Sequence, residues 1–305
     1  MEINKEHITG WLKQLQDSIC IALEKADGSG KFLEENWKRE EGGGGRSRVM
    51  KNGSVIEKGG IMFSAVHGET PEFLLKEKQH SVNDKISSGS TFYATGISIV
   101  IHPKNPMVPI IHMNIRYFEV SNETKWLGGG IDLTPHYIVK EDANYFHSKL
   151  KKVCDRHNSS YYNKFKEWAD NYFFIKHRNE TRGIGGIFFD RLNAEENMSF
   201  EKNLTFWKEV GEAFAPIYCH LINKNKNISF NEDQKKWQLL RRGRYVEFNL
   251  IYDKGTKFGL ETNGRTESIL MSLPALAGWE YNYEPAKNSP EERTQSLLRK
   301  GISWI

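Results

Sequence analysis

The stretch Pro109-Ile110-Ile111-His112-Met113-Asn114-Ile115-Arg116-Tyr117 puts His112, Asn114 and Arg116 at even positions and Ile111, Met113, Ile115 and Tyr117 at odd ones. Successive side chains of a strand point to opposite faces, so one face is apolar and the other chemically capable. Gly96 to His102 repeats the pattern, with Ser98 and His102 opposed to Ile97, Ile99 and Ile101. Tyr245 to Asp253 reads the same way, with Tyr245, Glu247, Asn249 and Asp253 opposed to Val246, Phe248, Leu250 and Tyr252. An ordinary solvated strand carries Lys, Thr and Glu outward. Here the outer residues bind carboxylates and move protons. The pattern points to a polar pocket floored by a sheet; a plain half-exposed antiparallel sheet is the alternative.

Around these stretches, residues 5–26 read as an amphipathic helix, with Ile8, Leu12, Leu15, Ile19 and Leu23 on one stripe and Gly28 beyond its end. Asn52-Gly53 is a hairpin signal between strand-like segments near 46–50 and 54–66. Residues 91–102 and 109–120 are the clearest strands. Trp126 to Pro135 is a glycine-rich entry to Asp132. Helices are expected at 140–157, 161–177, 199–222 and 231–242, with short ones at 265–272 and 291–300. Gly183 to Asp190 is a glycine hinge entering a short strand. Two further strands are expected at 245–253 and 257–262. Strands early and late, with helices between them, is α+β order. The expectation is one domain over residues 1–305, a large, mostly antiparallel β-sheet flanked by helices.

The chain has 305 residues, 12% aromatics including eight Trp, and 27% charged residues, enough for one large core. A net charge of +4 suits an anionic substrate but is too weak to imply nucleic acid, and no RNA- or DNA-binding signature is present. Cys20, Cys154 and Cys219 are scattered, without a CxxC pair, so neither a zinc knot nor a disulfide framework is expected. No apolar run reaches the roughly 18 residues of a transmembrane segment. The acidic N-terminal segment is unlike a targeting peptide. A reducing, cytoplasmic location is the expectation.

His102, His112, His147 and His177 are candidate metal ligands, but none has short ligand spacing. Arg116, Arg182, Arg241, Arg242, Arg244 and Arg265 are candidate carboxylate clamps, and Arg116 leads because His112 and Asn114 share its face. Asp132 after three glycines is either a ligand-facing carboxylate or a cap for the following segment. Phosphate-loop patterns and a serine nucleophile elbow are missing.

Six blocks make the chain resemble the oxygen-dependent coproporphyrinogen III oxidase family. They are GGGGRSRV (42–49), EKGGIMFSAVHG (57–68), HPKNPMVPIIHMNIRYFE (102–119), WLGGGIDLTPHY (126–137), KHRNETRGIGGIFFD (176–190) and QLLRRGRYVEFNLIYDKGTKFGLETNGRTESILMSLP (238–274). The resemblance runs from about residue 7 to the C-terminus. It implies conversion of two propionates of coproporphyrinogen III to vinyl groups, with O2 as co-substrate and no organic cofactor. It implies substrate contacts from Ser98, Asn114, Arg116 and the turn Asn263-Gly264-Arg265, a proton donor at His112, and pocket carboxylates at Asp132 and Asp253. It further implies a divalent metal cation on His102, His112, His147 and His177, as assigned in bacterial members only, and a homodimer interface within about 245–280. The chain departs from the family at Arg191, where a second Asp is usual, at Lys254 in place of Arg, and at Asn263 in place of Gly or Pro. Two rival readings are a metal-dependent oxygenase or hydrolase using the four histidines, and a binding module for RNA or a tetrapyrrole without turnover.

Overall fold

The computed structural model describes residues 4–70, 89–121, 124–193, 199–261 and 264–305. Its centre is a seven-stranded sheet in which every neighbouring pair is antiparallel. The strands are β1 (Leu33–Lys38), β2 (Gly43–Lys51), β3 (Ile56–Glu69), β4 (Thr91–Pro103), β5 (Ile110–Val120), β6 (Thr124–Thr134) and β9 (Gly185–Leu192), in the order β1-β2-β3-β4-β5-β6-β9. A two-stranded ribbon, β7 (Phe174–Ile175) with β8 (Glu180–Thr181), lies apart from it.

The odd-numbered apolar residues of the central strands, including Ile61, Ile97, Ile99, Ile111, Met113 and Ile115, are buried on one side of the sheet. They form one core cluster with α1 (Lys5–Asp27), α2 (Lys140–Asp155), α3 (Tyr161–Tyr172) and α4 (Phe200–Asn225). The strand alternation and the helix stripe of Ile8, Leu12, Leu15, Ile19 and Leu23 therefore meet as expected. The opposite face is only partly covered. Part of α5 (Glu232–Ile251) and the short helices α6 (Lys254–Glu261) and α7 (Thr266–Leu270) belong to this side; α8 (Pro290–Ser296) closes the helical set.

Two expected strands are helices. Residues 245–253 finish α5, and 257–262 overlap α6. The alternation misleads because α5 is buried nearly all round. Arg241, Arg242, Glu247 and Asn249 lie inside with Trp237, Tyr245 and Phe248, so no clean 3.6-residue stripe survives. The helix starts on a capping box, with Asn231 accepting from the Gln234 amide and Gln234 accepting from the Asn231 amide. Conversely, 126–134 is strand, although its three glycines leave no alternation to read. The helix expected over 161–177 stops at Tyr172. The Asn52-Gly53 hairpin forms, with Asn52 in the left-handed region at φ 57°.

Asp27 ties the end of α1 to this hairpin. Its carboxylate accepts from the backbone amides of Gly30, Ser54, Val55 and Ile56 at 2.7–2.8 Å. Burial acts to raise its pKa, but these amides prevail and hold it at about 2. Asp27→Ala strands several buried N–H groups at once. We expect it to lower stability by roughly 3 kcal/mol or more in urea denaturation. A loss below about 1 kcal/mol would mean that water replaces the carboxylate.

Candidate active site

Cross-strand register assembles the half-open face in rows. One row runs Val49, Gly60, Val100, His112, Asp132 and Gly186. The next runs Ser47, Met62, Ser98, Asn114, Gly130 and Phe188. A third runs Trp37, Gly45, Ser64, Gly96, Arg116 and Gly128. Ser98, Asn114, Arg116 and His112 thus share one surface, as the sequence predicts. Between the outer side chains the rows carry Ser98, Ser64 and Gly96 beside Met62 and Val100, with Met271 lying against Gly60 and the Trp37 ring against Gly45.

His112 and Asp132 are directly paired across β5 and β6. His112 Nδ1 lies 2.8 Å from Asp132 Oδ1. Asp132 is 1% exposed, so it sits behind His112 and not on the open surface. Arg182 Nη2 donates to both Asp132 oxygens at 2.9 Å, and Arg182 Nη1 donates to Asn249 Oδ1 at 2.8 Å. The guanidinium is enclosed by the rings of Phe173, Tyr245 and Phe248, 4.4–4.7 Å from their centroids. Burial acts to raise the Asp132 pKa, but the Arg182 charge and the His112 hydrogen bond overcome it, so the carboxyl stays below its ordinary range. Asp132 therefore does not cap the next segment. It anchors His112, leaving Nε2 of the ring as the free nitrogen.

Arg182 appears in the sequence only as one of six arginines, and nothing local singles it out. Asn249 is expected on a strand face. It reaches Arg182 because 245, 248 and 249 share one side of α5 at helical spacing.

Arg116 Nη2 lies 2.9 Å from Asp190 Oδ1, and both side chains are part-exposed. Arg265 bonds Ser47 at 3.2 Å and Glu35 at 2.5 Å, and lies over the Trp37 ring. Ser47 and Arg116 are three strands apart, about 14 Å at the usual spacing. Cationic groups thus stand at two edges of these rows. Gly264 is tied back to Gly259, and Asn263 lies outside the described residues. Asp253 accepts from the Tyr172 hydroxyl at 2.9 Å and the Thr256 amide at 2.7 Å. Those bonds make it the cap of α6, and its charge also acts on Arg182.

The four histidines are not gathered. His102 is buried with Nε2 2.9 Å from the Ser272 carbonyl. His147 bonds the Tyr162 hydroxyl and the Ile184 carbonyl, each at 3.0 Å. His177 bonds Tyr252 and Glu247, each at 2.7 Å, and His112 bonds Asp132. No two of them share a partner. Among the described residues no group of three or more His, Cys, Asp or Glu could hold a metal ion. This donor set does not fit a four-histidine metal site, and no step below is routed through one. A cavity of about 1040 Å³ lies elsewhere, among Lys151, Arg156, Lys166, Lys300 and neighbours, and contains none of the expected site residues.

Burial, which outweighs the hydrogen bond to a carbonyl, lowers the pKa of both His102 and His147 to about 3. Both are neutral in the folded protein and take up protons only when unfolded. Stability is therefore full above about pH 6.5 and falls as pH drops from there towards 3, by about 1.4 kcal/mol per pH unit for each ring. Urea midpoints at pH 7 and pH 5 should differ accordingly; equal midpoints would show that these rings are protonated in the native state.

Residues 7–304 match the family described as coproporphyrinogen III oxidase. A protein of Prochlorococcus marinus (strain NATL1A), named oxygen-dependent coproporphyrinogen-III oxidase, is 48% identical over 96% of this chain and 88% of its own length. One of the same name from strain MIT 9301 is 45% identical over 99% of this chain and 93% of its own length. With the cross-sheet site on a fold of the expected class, these matches over nearly the whole chain place the protein in the coproporphyrinogen III oxidase family.

Proposed function

We propose that this protein carries out the oxygen-dependent decarboxylation of coproporphyrinogen III to protoporphyrinogen IX. The observation that carries the reading is the cross-sheet row structure: Ser98 and Asn114 between two arginines, with His112 at one side. A flat macrocycle with carboxylates on its rim has its charges where Arg116 and Arg265 stand.

For each propionate the balance is R–CH2–CH2–COO⁻ + O2 + H⁺ → R–CH=CH2 + CO2 + H2O2. The β-carbon loses a hydrogen, the carbon–carboxylate bond breaks, and O2 takes the electron pair. The reduced macrocycle is electron-rich and can react with O2 itself, so the protein's task is placement and proton traffic. Arg116 and Arg265 orient the carboxylates. Ser98 and Asn114 lie along the floor and offer hydrogen bonds to the ring system. His112 holds or delivers a proton at Nε2. The carboxylate of Asp132, kept ionised by Arg182, accepts from Nδ1 and so fixes the Nδ1–H tautomer of the ring.

The same reading includes a homodimer through residues 245–280. Leu250, Ile251, Leu260, Leu276 and Trp279 are each more than two-fifths exposed there, a concentration of apolar surface that supports pairing. A cytoplasmic setting fits three unpaired cysteines. Among the described residues no helix is long and apolar enough to cross a membrane.

Incubation with coproporphyrinogen III in air and under argon, followed by chromatography of the porphyrins, tests the activity; protoporphyrin should form only in air. Arg116→Ala should lose about 100-fold in kcat/KM while melting normally. Asp132→Asn should cut kcat by a similar factor through a misoriented His112, because Asn offers no charge. Near-normal turnover in either variant would remove that residue from the mechanism. The dimer predicts that Leu250→Asp with Leu276→Asp sediments as a monomer where the parent chain sediments as a dimer; unchanged sedimentation places the interface elsewhere.

A further inference from the structure

The Arg116–Asp190 pair is built unlike the buried Arg182–Asp132 pair. Arg182 and Asp132 are joined by aligned hydrogen bonds. Asp190 Oδ1, by contrast, is buried, lies 2.9 Å from Arg116 Nη2, and accepts no hydrogen bond. The contact is one of charge, with the donors of Arg116 aimed elsewhere. Its other contact, from Nη1 to Asn114 Oδ1, is long at 3.4 Å.

Local structure is distorted to make this contact. The register between β6 and β9 shifts between Leu127 and Gly129, so that Asp190 and Arg191 together stand opposite Gly128. That is a bulge, a device that re-aims a side chain. Arg191 occupies the left-handed region at φ 54°, which is unfavourable for a residue with a Cβ. Gly128 leaves the space: a Cβ there would lie 2.4 Å from Asp190 Oδ1 and 3.0 Å from Arg116 Nε. A part-exposed ion pair contributes little to stability. Fold stability therefore does not account for a bulge, a left-handed arginine and a missing side chain converging on one carboxylate.

We propose that Asp190 is a positioning residue for substrate recognition. Its charge holds the Arg116 guanidinium over Gly128 while leaving the fork of N–H donors free to take a substrate carboxylate in bidentate fashion. The inference rests on the reading of Arg116 as the carboxylate clamp. It adds that the clamp is set in advance, so that less orientational freedom is lost on binding.

The test uses the full chain. Steady-state turnover of coproporphyrinogen III is measured together with fluorescence titration by coproporphyrin III, the oxidised ring with the same four propionates. Asp190→Asn keeps the shape and removes the charge. It should raise KM and weaken coproporphyrin binding roughly five-fold, with kcat within about two-fold. The difference should shrink in high salt. Asp190→Glu, which restores the charge, should recover part of the affinity. In an Arg116→Ala background, Asp190→Asn should change binding no further.

Unchanged binding in Asp190→Asn overturns the proposal. So does a lower KM, which would mean that Asp190 merely competes with the substrate. An equal loss in the Arg116→Ala background also overturns it, because Asp190 would then act through the bulge and not through Arg116. If Arg116→Ala alone binds coproporphyrin normally, the clamp itself is wrong, and that outcome is distinguishable from the others.

Discussion

Everything at the site hangs on the ion pair between Asp132 and Arg182, whose side chains are 1% and 2% exposed. Removing two charges from water costs several kcal/mol per ion, and mutual attraction repays this only with good geometry and further hydrogen bonds. Both conditions are met. Arg182 adds Asn249 and three aromatic faces, and Asp132 adds His112. The result joins β6, the segment before β9, and α5. The sheet and the helix that covers its open face are thereby set relative to each other by one buried contact. A pair of this kind is weak as a source of stability and strong as a specifier of arrangement, because any other placement leaves a charge unpaired in the interior.

The consequence for chemistry follows from where the negative charge ends up. Asp132 is buried behind His112, and on the proposed reading it acts through that ring. The site presents an imidazole whose orientation is fixed from behind, beside arginines whose partners are part-exposed acids. Arg182, Arg241 and Arg242 have partners inside the protein at Asp132, Glu180 and Glu57. Arg116 and Arg265 pair instead with Asp190 and Glu35, at 30% and 62% exposure. A carboxylate arriving from solvent can reach the second group and not the first.

The sheet was legible where its residues alternate. Segments β4 and β5 have apolar and polar faces that any register must respect, and α1 carries a clear stripe. Strand β6 was hidden because glycines have no side chain to alternate. The end of α5 was misread because a helix buried on most sides has polar residues throughout, and Tyr245, Glu247 and Asn249 then mimic a strand. At the site, His112, Arg116 and Asp132 could be named from local pattern and resemblance. Their connection could not, because the His112–Asp132 bond depends on the pairing of β5 with β6. Arg182 and Asp190 come from segments far along the chain and reach the site only through the fold.

Glycine at 128 and the left-handed backbone at 191 illustrate a wider point about where local preference and global structure disagree. Through most of the chain the two agree: capping residues cap, apolar stripes pack, and Asn52 takes the turn it favours. Agreement of that kind is what makes a sequence fold uniquely. Disagreements occur in more than one place, Ser121 at φ 52° among them, but two of them meet beside Arg116. Gly128 weakens a central strand and Arg191 sits where L-residues are disfavoured, yet both border the one carboxylate beside Arg116. On the proposed reading, their meeting at one contact on the open face serves recognition of a carboxylate, with the Asp132–Arg182 pair and the apolar core supplying the stability that permits it.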